Sequence, residues 1–190
     1  MGQKNSEQTD EEIARLVQSG DIDLFGILVK RYEEKIKRYG RKFLSNFQDI
    51  EDIVQEIFIK AYKNIRSFDV RKKFPPWIYR IAHNEFVNAI RKESKSPLSF
   101  FDPDTLFPHP VSKENTDKQI GKEEFEQAIN KCLDRLDPKY REPIVLYFFE
   151  DLSYKEIAEI LHIPIGTVSV RLKRGKKIIR SIYQKSDYQI

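Results

Sequence analysis

Residues Asp151–Tyr183 have the sequence DLSYKEIAEILHIPIGTVSVRLKRGKKIIRSIY and carry the clearest structural pattern of this chain. Ser153 followed by Glu156 is a capping box, which starts a helix because each side chain satisfies a backbone N–H of the first turn. One apolar face follows at helical spacing: Ile157, Ala158, Ile160 and Leu161. The pattern predicts a short helix that ends at His162, since histidine tolerates the left-handed conformation that ends many helices.

A second, longer helix is predicted after this turn. Pro164 suits the opening of a new segment, while Gly166 and Thr167 supply a flexible residue and a cap. Its apolar residues recur at roughly helical spacing: Val168, Leu172, Ile178, Ile179 and Ile182. Its basic residues occupy the other faces: Arg171, Lys173, Arg174, Lys176, Lys177, Arg180 and Lys185. No Asp or Glu occurs between Ile160 and Ser186, so this surface suits contact with phosphates.

The two helices together indicate a helix-turn-helix. In that motif the second helix enters the major groove of DNA. A basic amphipathic helix taken alone is also typical of a solvated face, or of a surface that binds membranes or calmodulin. The short capped helix directly before it favours the DNA-binding interpretation.

Composition limits the other possibilities. The chain has 190 residues, 39% of them hydrophobic and 34% charged, which suits one average domain or two small ones. Helical periodicity dominates, so the expected fold class is all-α. The net charge is only +4, so the bases matter through clustering. The single cysteine, Cys132, is expected to be a buried thiol in a reducing cytoplasm. No run approaches the ~18 apolar residues of a membrane span, so no membrane insertion is expected.

The remainder of the chain is predicted to form two small helical domains. Thr9 and Glu12 form another capping box, which opens a helix ending near Gly20. Further helices are predicted from Asp21 or Asp23 through Phe43, over Asp49–Ile65 and over Trp77–Lys92, with a basic loop at Ser67–Pro76. These make an N-terminal domain of residues 8–95. The C-terminal domain, residues 123–185, is expected to contain helices near 123–136, 138–149, 153–161 and 165–183.

A proline-bearing linker, residues 96–122, joins the domains. Its prolines exclude a regular helix: Pro97, Pro103, Pro108 and Pro110. It also holds the aromatic residues Phe100, Phe101 and Phe107, which a plain flexible linker would lack. The linker is therefore expected to dock on its own domains or on a partner.

Two runs resemble a known family. Asp49–Lys95, DIEDIVQEIFIKAYKNIRSFDVRKKFPPWIYRIAHNEFVNAIRKESK, resembles region two of bacterial sigma factors of the extracytoplasmic-function type. Tyr140–Tyr183, which includes the helix-turn-helix, resembles their region four. The resemblance implies an RNA polymerase sigma factor that binds core RNA polymerase and promoter DNA and directs promoter-specific transcription initiation. It implies no cofactor and no catalytic activity. An anti-sigma factor is a further candidate partner, and the linker resembles the acidic connector that enters the polymerase's active-site channel.

The resemblance also implies a polymerase-binding surface. Asp52, Gln55 and Glu56 match the surface that grips the clamp helices of the polymerase's largest subunit. Their spacing independently places them on one side of a helix. The competing interpretations are a solvated acidic face and a metal site, but no other segment supplies converging ligands for a metal.

A second implied surface melts and captures the −10 promoter strand. The matching residues are Arg71, Lys72, Lys73, Phe74, Trp77, Arg80, His83 and Asn84. Single strands are held by bases stacked on aromatic rings beside cations, and an Asn amide can pair with a base edge. For Trp77, a core position is the favoured interpretation. The family usually has Arg where His83 stands and Asp where Asn88 stands, so one strand contact differs here.

The third implied surface recognises the −35 element through the second helix of the helix-turn-helix. Its expected contacts are Thr167, Ser169, Val170, Arg171, Arg174 and Lys177. Ser169 occupies a place often held by Lys or Arg, and Val170 one often held by Ser. Valine can contact a thymine methyl group but cannot pair with a guanine edge. The preferred −35 sequence is therefore expected to deviate from the family's common one.

Two other function classes would leave recognisable patterns in the sequence. A stand-alone helix-turn-helix transcriptional regulator of the response-regulator type would carry alternating βα units in its other half. A small enzyme would need a catalytic or metal cluster, yet His83, His109 and His162 are scattered along the chain. Neither pattern is present in the sequence.

Overall fold

The computed structural model describes residues 8–41, 43–44, 46–93, 129 and 131–185, and every regular element in these ranges is helical. The helices are α1 (Asp10–Gln18), α2 (Phe25–Gly40), α3 (Phe47–Asn64), α4 (Phe74–Glu93), α5 (Pro138–Phe148), α6 (Tyr154–Leu161) and α7 (Ile165–Lys185). Short 3₁₀ turns occupy Ile22–Leu24 and Ile65–Ser67, and residues 131–134 are also helical. The all-α prediction is confirmed. The linker, with its prolines and aromatic residues, lies outside the described residues.

The predicted helix starts are satisfied by side-chain caps. The Thr9 hydroxyl accepts from the Glu12 N–H at 3.2 Å, and the Glu12 carboxylate accepts from the Thr9 N–H at 2.9 Å. The reciprocal pair between Ser153 and Glu156 opens α6 in the same way. Asp137 caps α5 through the Lys139 N–H at 3.0 Å. These local patterns were sufficient to place the starts of α1, α5 and α6.

Three other helix starts differ from the prediction, and one is that of α2, which begins at Phe25 after the 3₁₀ turn Ile22–Leu24 rather than at Asp21 or Asp23. Helix α4 begins at Phe74 rather than Trp77, because prolines in a first turn lack only N–H groups that have no helical partner there. Helix α7 begins at Ile165, as predicted, so Thr167 lies inside its first turn and only the expectation that Thr167 caps the helix is wrong. Helix α3 begins at Phe47, where the Asn46 side chain accepts from the Gln48 N–H at 3.0 Å.

Helices α1–α4, called here the N-terminal domain, share a core with many aromatic rings. Tyr39 is fully buried, and its ring meets those of Phe43, Tyr79 and Phe86 edge-on at centroid distances of 5.0, 5.5 and 5.9 Å. Edge-to-face rings stabilise a core beyond the area that they bury. Phe86 of α4 also lies directly over Gly40 of α2. These contacts hold α2 and α4 closely together at the centre of the domain.

Helices α5–α7 and the preceding residues 131–136, called here the C-terminal domain, form a smaller core. Leu133, Ile144 and Leu172 are buried in it. Arg141 is fully buried as well, and it donates to the backbone carbonyls of Asp134 at 2.8 Å and Leu136 at 2.7 Å. These hydrogen bonds tie the residues before α5 to α5 itself. Cys132 is buried in this domain, as predicted, and burial raises the pKa of its thiol.

The two domains are in contact. Helix α4 packs directly against α6, so the N-terminal domain faces the first helix of the helix-turn-helix. Arg38 of α2 donates to the Glu150 carboxylate, which follows α5, at 2.8 Å. This contact decides which of the expected functional surfaces are open to solvent.

Candidate nucleic-acid and polymerase interfaces

Helix α7 presents most of the residues expected at the −35 element to solvent. Its inner face is fixed by the buried Val168 and Leu172. The exposed members of the expected set are Ser169, Val170, Arg174 and Lys177, and the half-buried members are Thr167 and Arg171. Because α7 carries no acidic residue, nothing on the helix itself competes with phosphates for these cations.

The direction of α7 is set by the turn before it. His162 has a left-handed backbone with φ of 54°, which confirms its predicted role as a turn residue. The N–H groups of His162 and Ile163 both donate to the Ala158 carbonyl and close the end of α6. The Pro164 carbonyl then accepts from the Val168 N–H at 3.2 Å at the start of α7. The helix-turn-helix geometry is thus fixed by local hydrogen bonds.

The loop before α4 holds the basic residues expected near the −10 strand. Asp69 accepts the Arg71 backbone N–H at 3.1 Å and the Arg71 guanidinium at 2.9 and 3.0 Å. These hydrogen bonds, with the charges of Arg71 and Lys72, lower the pKa of Asp69 to about 2. The turn is therefore held by its own residues, while Lys72 and Lys73 are exposed.

Phe74 does not lie on this surface. Its side chain is only 1% exposed, and its ring packs edge-on against Tyr32 and Phe68 at 5.4 Å each. A base cannot stack on a ring that is surrounded by the core, so the expectation that Phe74 holds the −10 strand is corrected. Trp77 packs beside it, at 5.2 Å from Phe68, but is half-buried and keeps part of its surface open.

Helix α4 carries the remaining expected strand contacts, and two of them face the C-terminal domain. Arg80 donates to the Glu159 carboxylate at 3.4 Å. The His83 Nδ1 lies 2.7 Å from the Glu142 carboxylate. Asn84 is exposed. Arg80 and His83 therefore lie on a side of α4 that the C-terminal domain partly covers, while Asn84 is open to solvent.

The expected polymerase-binding residues lie on the outer face of α3. Asp52, Gln55 and Glu56 are all exposed, whereas Val54 and Ile57 between and beside them are buried. Glu56 lies 3.7 Å from Lys60, one turn further along the helix, in a solvent-exposed ion pair. Exposed pairs of this kind contribute little to stability. The face is thus available for a partner without loss of packing.

Three acidic residues that were not predicted to be functional face the expected −10 surface from the C-terminal domain. They are Glu142, Glu156 and Glu159. Glu142 directly precedes the buried run Pro143–Leu146. An acidic residue beside an apolar run can indicate a buried carboxylate that has a partner, so this position could have been predicted from the local sequence. Glu156 was explained fully by its capping role. Its 3.9 Å approach to Lys73 depends on how the domains pack, which no local pattern encodes.

Other kinds of site are absent from the described residues. In those ranges no three side chains of His, Cys, Asp or Glu converge in a way that could hold a metal ion. The described residues between 8 and 93 contain no strand, so they do not form the alternating βα units of a receiver domain. Among the described helices, none combines the length and apolar character that crossing a bilayer requires.

Family models match both halves of the chain. The model described as "Sigma-70 region 2" matches residues 28–96, and "Sigma-70, region 4" matches residues 126–179. The first covers most of α2 and all of α3 and α4, including the face of α3 that carries Asp52 and Glu56. The second covers α5, α6 and most of α7.

Relatives match over nearly the full length. The ECF RNA polymerase sigma factor SigW of Bacillus subtilis is 38% identical over 172 residues, which cover 86% of this chain and 91% of SigW. The ECF RNA polymerase sigma-E factor of Escherichia coli K12 is 34% identical over 182 residues, 92% of this chain and 94% of that protein.

Solved structures share the fold. CnrH, solved in complex with the cytosolic domain of CnrY, covers 94% of this chain with a TM-score of 0.66 and 23% identity; all of that chain is matched. The sigma factor RpoE of Bartonella quintana, solved with the anti-sigma factor NepR, covers 86% of this chain and 98% of its own, with a TM-score of 0.62 and 23% identity.

Proposed function

Because the chain belongs to the ECF family of RNA polymerase sigma factors, we propose that it binds core RNA polymerase and directs transcription initiation at specific promoters. The observation that carries this proposal is the pairing, on one chain, of matches to region two and region four with an acid-free basic helix whose outer face is open. The domains are assigned to residues 8–95 and 123–185, joined by the linker 96–122.

Each surface has a distinct role in the proposal. The outer face of α3, with Asp52, Gln55 and Glu56, contacts the polymerase. The loop before α4 and the exposed part of α4 bind the −10 strand through Lys72, Lys73, Arg80, His83 and Asn84. The outer face of α7 recognises the −35 element through Thr167, Ser169, Val170, Arg171, Arg174 and Lys177.

Different chemistry governs the two DNA surfaces. On α7, the forked guanidinium groups of Arg171 and Arg174 suit the O6 and N7 acceptors of guanine in the major groove. Val170 is 48% exposed and offers an apolar contact to a thymine methyl group. On the −10 surface, cations beside the partly open Trp77 ring suit an unpaired strand, whose bases stack and whose phosphates attract charge.

The protein is further proposed to act in the cytoplasm and to catalyse no reaction itself, in keeping with the role of a polymerase subunit that supplies promoter specificity. No cofactor is required for that role. An anti-sigma factor remains the candidate regulatory partner.

Run-off transcription tests the function directly. Core polymerase is mixed with the full-length protein and a promoter library with randomised −35 and −10 elements, and core polymerase alone is the control. Transcripts that start at a defined position and that enrich particular elements are expected only when the protein is present. Equal transcription with and without the protein contradicts the proposal.

The polymerase surface is tested by the double charge reversal Asp52→Lys and Glu56→Lys. Substitutions at exposed positions change stability by no more than about 0.5 kcal/mol. The double variant is therefore expected to fold normally and to lose its binding to core polymerase. Glu34→Lys is the matched control, because Glu34 is an exposed acid on the neighbouring helix α2. Co-elution with core polymerase on gel filtration measures the result. If the double variant co-elutes with core polymerase as the wild type does, the polymerase contact lies elsewhere.

A further inference from the structure

A glutamine of helix α1 holds the start of the segment that connects α3 to α4. This segment, residues 65–74, is called here the −10 loop. The Gln18 side-chain amide donates to the Ile65 carbonyl at 2.7 Å and to the Phe68 carbonyl at 2.8 Å. An amide NH₂ group has two hydrogens to donate, and Gln18 uses both of them on this loop. The partners lie 47 and 50 positions away in the sequence, so the contact is a tertiary one and not a local turn.

A glutamate of the same helix holds the end of the −10 loop. The Glu11 carboxylate accepts from the backbone N–H of Phe74, the first residue of α4, at 2.8 Å. N–H groups in the first turn of a helix have no helical acceptor, and the next two residues, Pro75 and Pro76, lack an N–H altogether. Glu11 therefore caps α4 from another helix, and its negative charge suits a helix N-terminus.

The spacing of the two side chains within α1 matches the two ends of the loop. Glu11 and Gln18 are seven positions apart, which is about two helical turns and roughly 10 Å along the axis, so they lie on the same side of the helix. Ala14 lies between them on that side and is completely buried. Helix α1 thus presents a fixed pair of hydrogen-bonding groups to the loop.

The ends of the loop are buried and its tip is exposed. The Phe68 and Phe74 side chains are only 5% and 1% exposed, and their rings pack edge-on at 5.4 Å. Between them the Lys72 N–H donates to the Asp69 carbonyl at 2.9 Å, in the turn that Asp69 also closes through the Arg71 N–H. Because the tip has hydrogen bonds of its own, its place on the protein depends on where its two ends are held.

The position of the tip matters more for base selection than for affinity. A hydrogen bond to a base edge needs its donor and acceptor within a narrow range of distance and angle. A site on a loop reaches that precision only when neighbouring side chains hold the loop. Lys72 and Lys73 are exposed at the tip. A displaced tip would keep these charges and their attraction for phosphates, but it would no longer be aligned with the bases.

We propose that Gln18 and Glu11 are positioning residues for the −10 loop, and that they set how strictly the protein selects the bases of the −10 element. Neither residue contacts DNA, because each acts through the backbone of the loop. This inference rests on the proposed assignment of Lys72 and Lys73 to the −10 strand. Helix α1 thereby contributes to promoter selection as well as to the N-terminal core.

Gln18→Glu tests the contact at the start of the loop. Glutamate has nearly the same shape as glutamine, but a carboxylate only accepts hydrogen bonds, so it would face the two loop carbonyls without a proton to share. Run-off transcription with core polymerase and the randomised promoter library measures base preference at both elements. We expect preference at one or more −10 positions to fall by about tenfold, the order of discrimination that one base-edge contact supplies. Preference at the −35 element should stay at the wild-type level.

Two substitutions at Glu11 test the contact at the end of the loop. Glu11→Ala removes the acceptor of the Phe74 N–H and is expected to relax −10 preference as Gln18→Glu does. Glu11→Gln keeps a side-chain oxygen that can accept the same hydrogen bond, so it should restore most of the preference. Hydrogen exchange of the Phe74 amide should be faster in Glu11→Ala than in Glu11→Gln. Neither substitution adds a charge, so this pair decides the question if Gln18→Glu does not fold.

Thr9→Ala is the matched control for general loosening of α1. The Thr9 hydroxyl caps the helix through the Glu12 N–H. Loss of this cap destabilises the helix but leaves Glu11 and Gln18 in place. The melting temperature of Thr9→Ala should therefore fall, while its −10 preference should match that of the wild type.

A separate variant tests the −10 assignment itself. The double substitution Lys72→Ala and Lys73→Ala removes two cations from the tip of the loop and leaves both contacts with α1 in place. It is expected to slow promoter opening in the holoenzyme, because an unpaired strand is held partly through its phosphates. Permanganate reactivity of thymines near the −10 element measures this opening.

Three results would overturn the inference. If Gln18→Glu and Glu11→Ala both keep the wild-type −10 preference, α1 does not position the loop. If Thr9→Ala relaxes the preference as much as they do, α1 acts through general stability and not through these hydrogen bonds. If loss of Lys72 and Lys73 leaves promoter opening unchanged, the −10 assignment fails and the inference fails with it, while the run-off result with the wild-type protein stands independently.

Discussion

Gly40 and Gly26 belong to the same helix, α2, and differ in their surroundings. A Cβ added at Gly40 would meet the Phe86 ring at 2.5 and 2.7 Å, whereas one at Gly26 would have no neighbour within 4 Å. Gly40→Ala is expected to lower the free energy of unfolding by about 1–3 kcal/mol through overpacking. Gly26→Ala is the control and is expected to raise it by up to about 1 kcal/mol. Urea denaturation measures both, and equal effects would contradict the close α2–α4 packing.

Asn84 and Asn88 test the −10 surface at the level of one side chain. Both are exposed on α4, and only Asn84 belongs to the proposed strand-binding set. Asn84→Ala should slow promoter opening by about tenfold or more, because a base-edge contact is worth about 1–3 kcal/mol. Asn88→Ala should leave opening unchanged. Permanganate reactivity of thymines near the −10 element measures opening in the holoenzyme, and equal loss in both variants would remove Asn84 from the set.

Single residues were predictable where their role is local. His162 was assigned to a turn because few side chains tolerate positive φ, and the backbone angle of 54° agrees. Phe74 was misplaced because a phenylalanine beside lysines fits a strand-binding loop and a core equally well. Its burial is decided by Tyr32 of α2 together with Phe68, which lies in the loop before α4. Sequence spacing around Phe74 contains no information about the contact with Tyr32.

At the scale of one element, α7 is proposed to divide sequence recognition and phosphate contact between different residues. Arg171 and Arg174 lie on the same face at helical spacing, whereas Lys177 lies further along. Arg171→Ala is expected to weaken promoter binding and relax preference at one −35 base pair. Lys177→Ala is expected to weaken binding to all promoters alike and to reduce the salt dependence by about one counterion.

Promoter-library profiles and salt titrations of the two holoenzymes measure this difference. Each variant serves as the control of the other, because both lose one cation from α7. If Lys177→Ala changes base preference while Arg171→Ala leaves it intact, α7 docks on DNA in another orientation.

Helix starts show which structural features could be predicted from the sequence at the scale of one element. Capping boxes placed α1 and α6 correctly, because cap and partner lie within one turn. The start of α4 was predicted too late, since two adjacent prolines were taken to precede the helix rather than to occupy its first turn. The exposure of the α3 face proposed to bind polymerase was predictable from periodicity alone. Its partner came only from the family resemblance.

At the scale of the whole molecule, the packing of the two domains against each other could not be predicted from the sequence. The contacts of Glu142 with Tyr39 and His83 join residues far apart in the chain, and each partner has an ordinary local environment in the sequence. The same holds for Arg38 and Glu150. Such contacts depend on complementary surfaces of two folded units, so a local pattern identifies each surface and not their pairing.

This packing predicts how the free protein behaves toward a promoter. A promoter places its −35 and −10 elements apart along the DNA, so both surfaces can engage only when α4 separates from α6. The purified protein is therefore expected to bind duplex promoter DNA weakly and with little sequence preference, since most of what remains is phosphate contact through α7. With core polymerase, specific binding should appear.

Filter binding at fixed salt, with and without core polymerase, measures this difference between a matched promoter and a scrambled duplex. The protein alone should show a ratio of the two affinities near unity, and the complex should favour the promoter by about a thousandfold or more, the usual lower range for specific recognition. The double variant Asp52→Lys and Glu56→Lys is the control, because it should keep the weak binding of the free protein and gain nothing from core polymerase. Tight, selective binding by the free protein would instead mean that α7 recognises DNA without help, and that the closed packing does not restrain it.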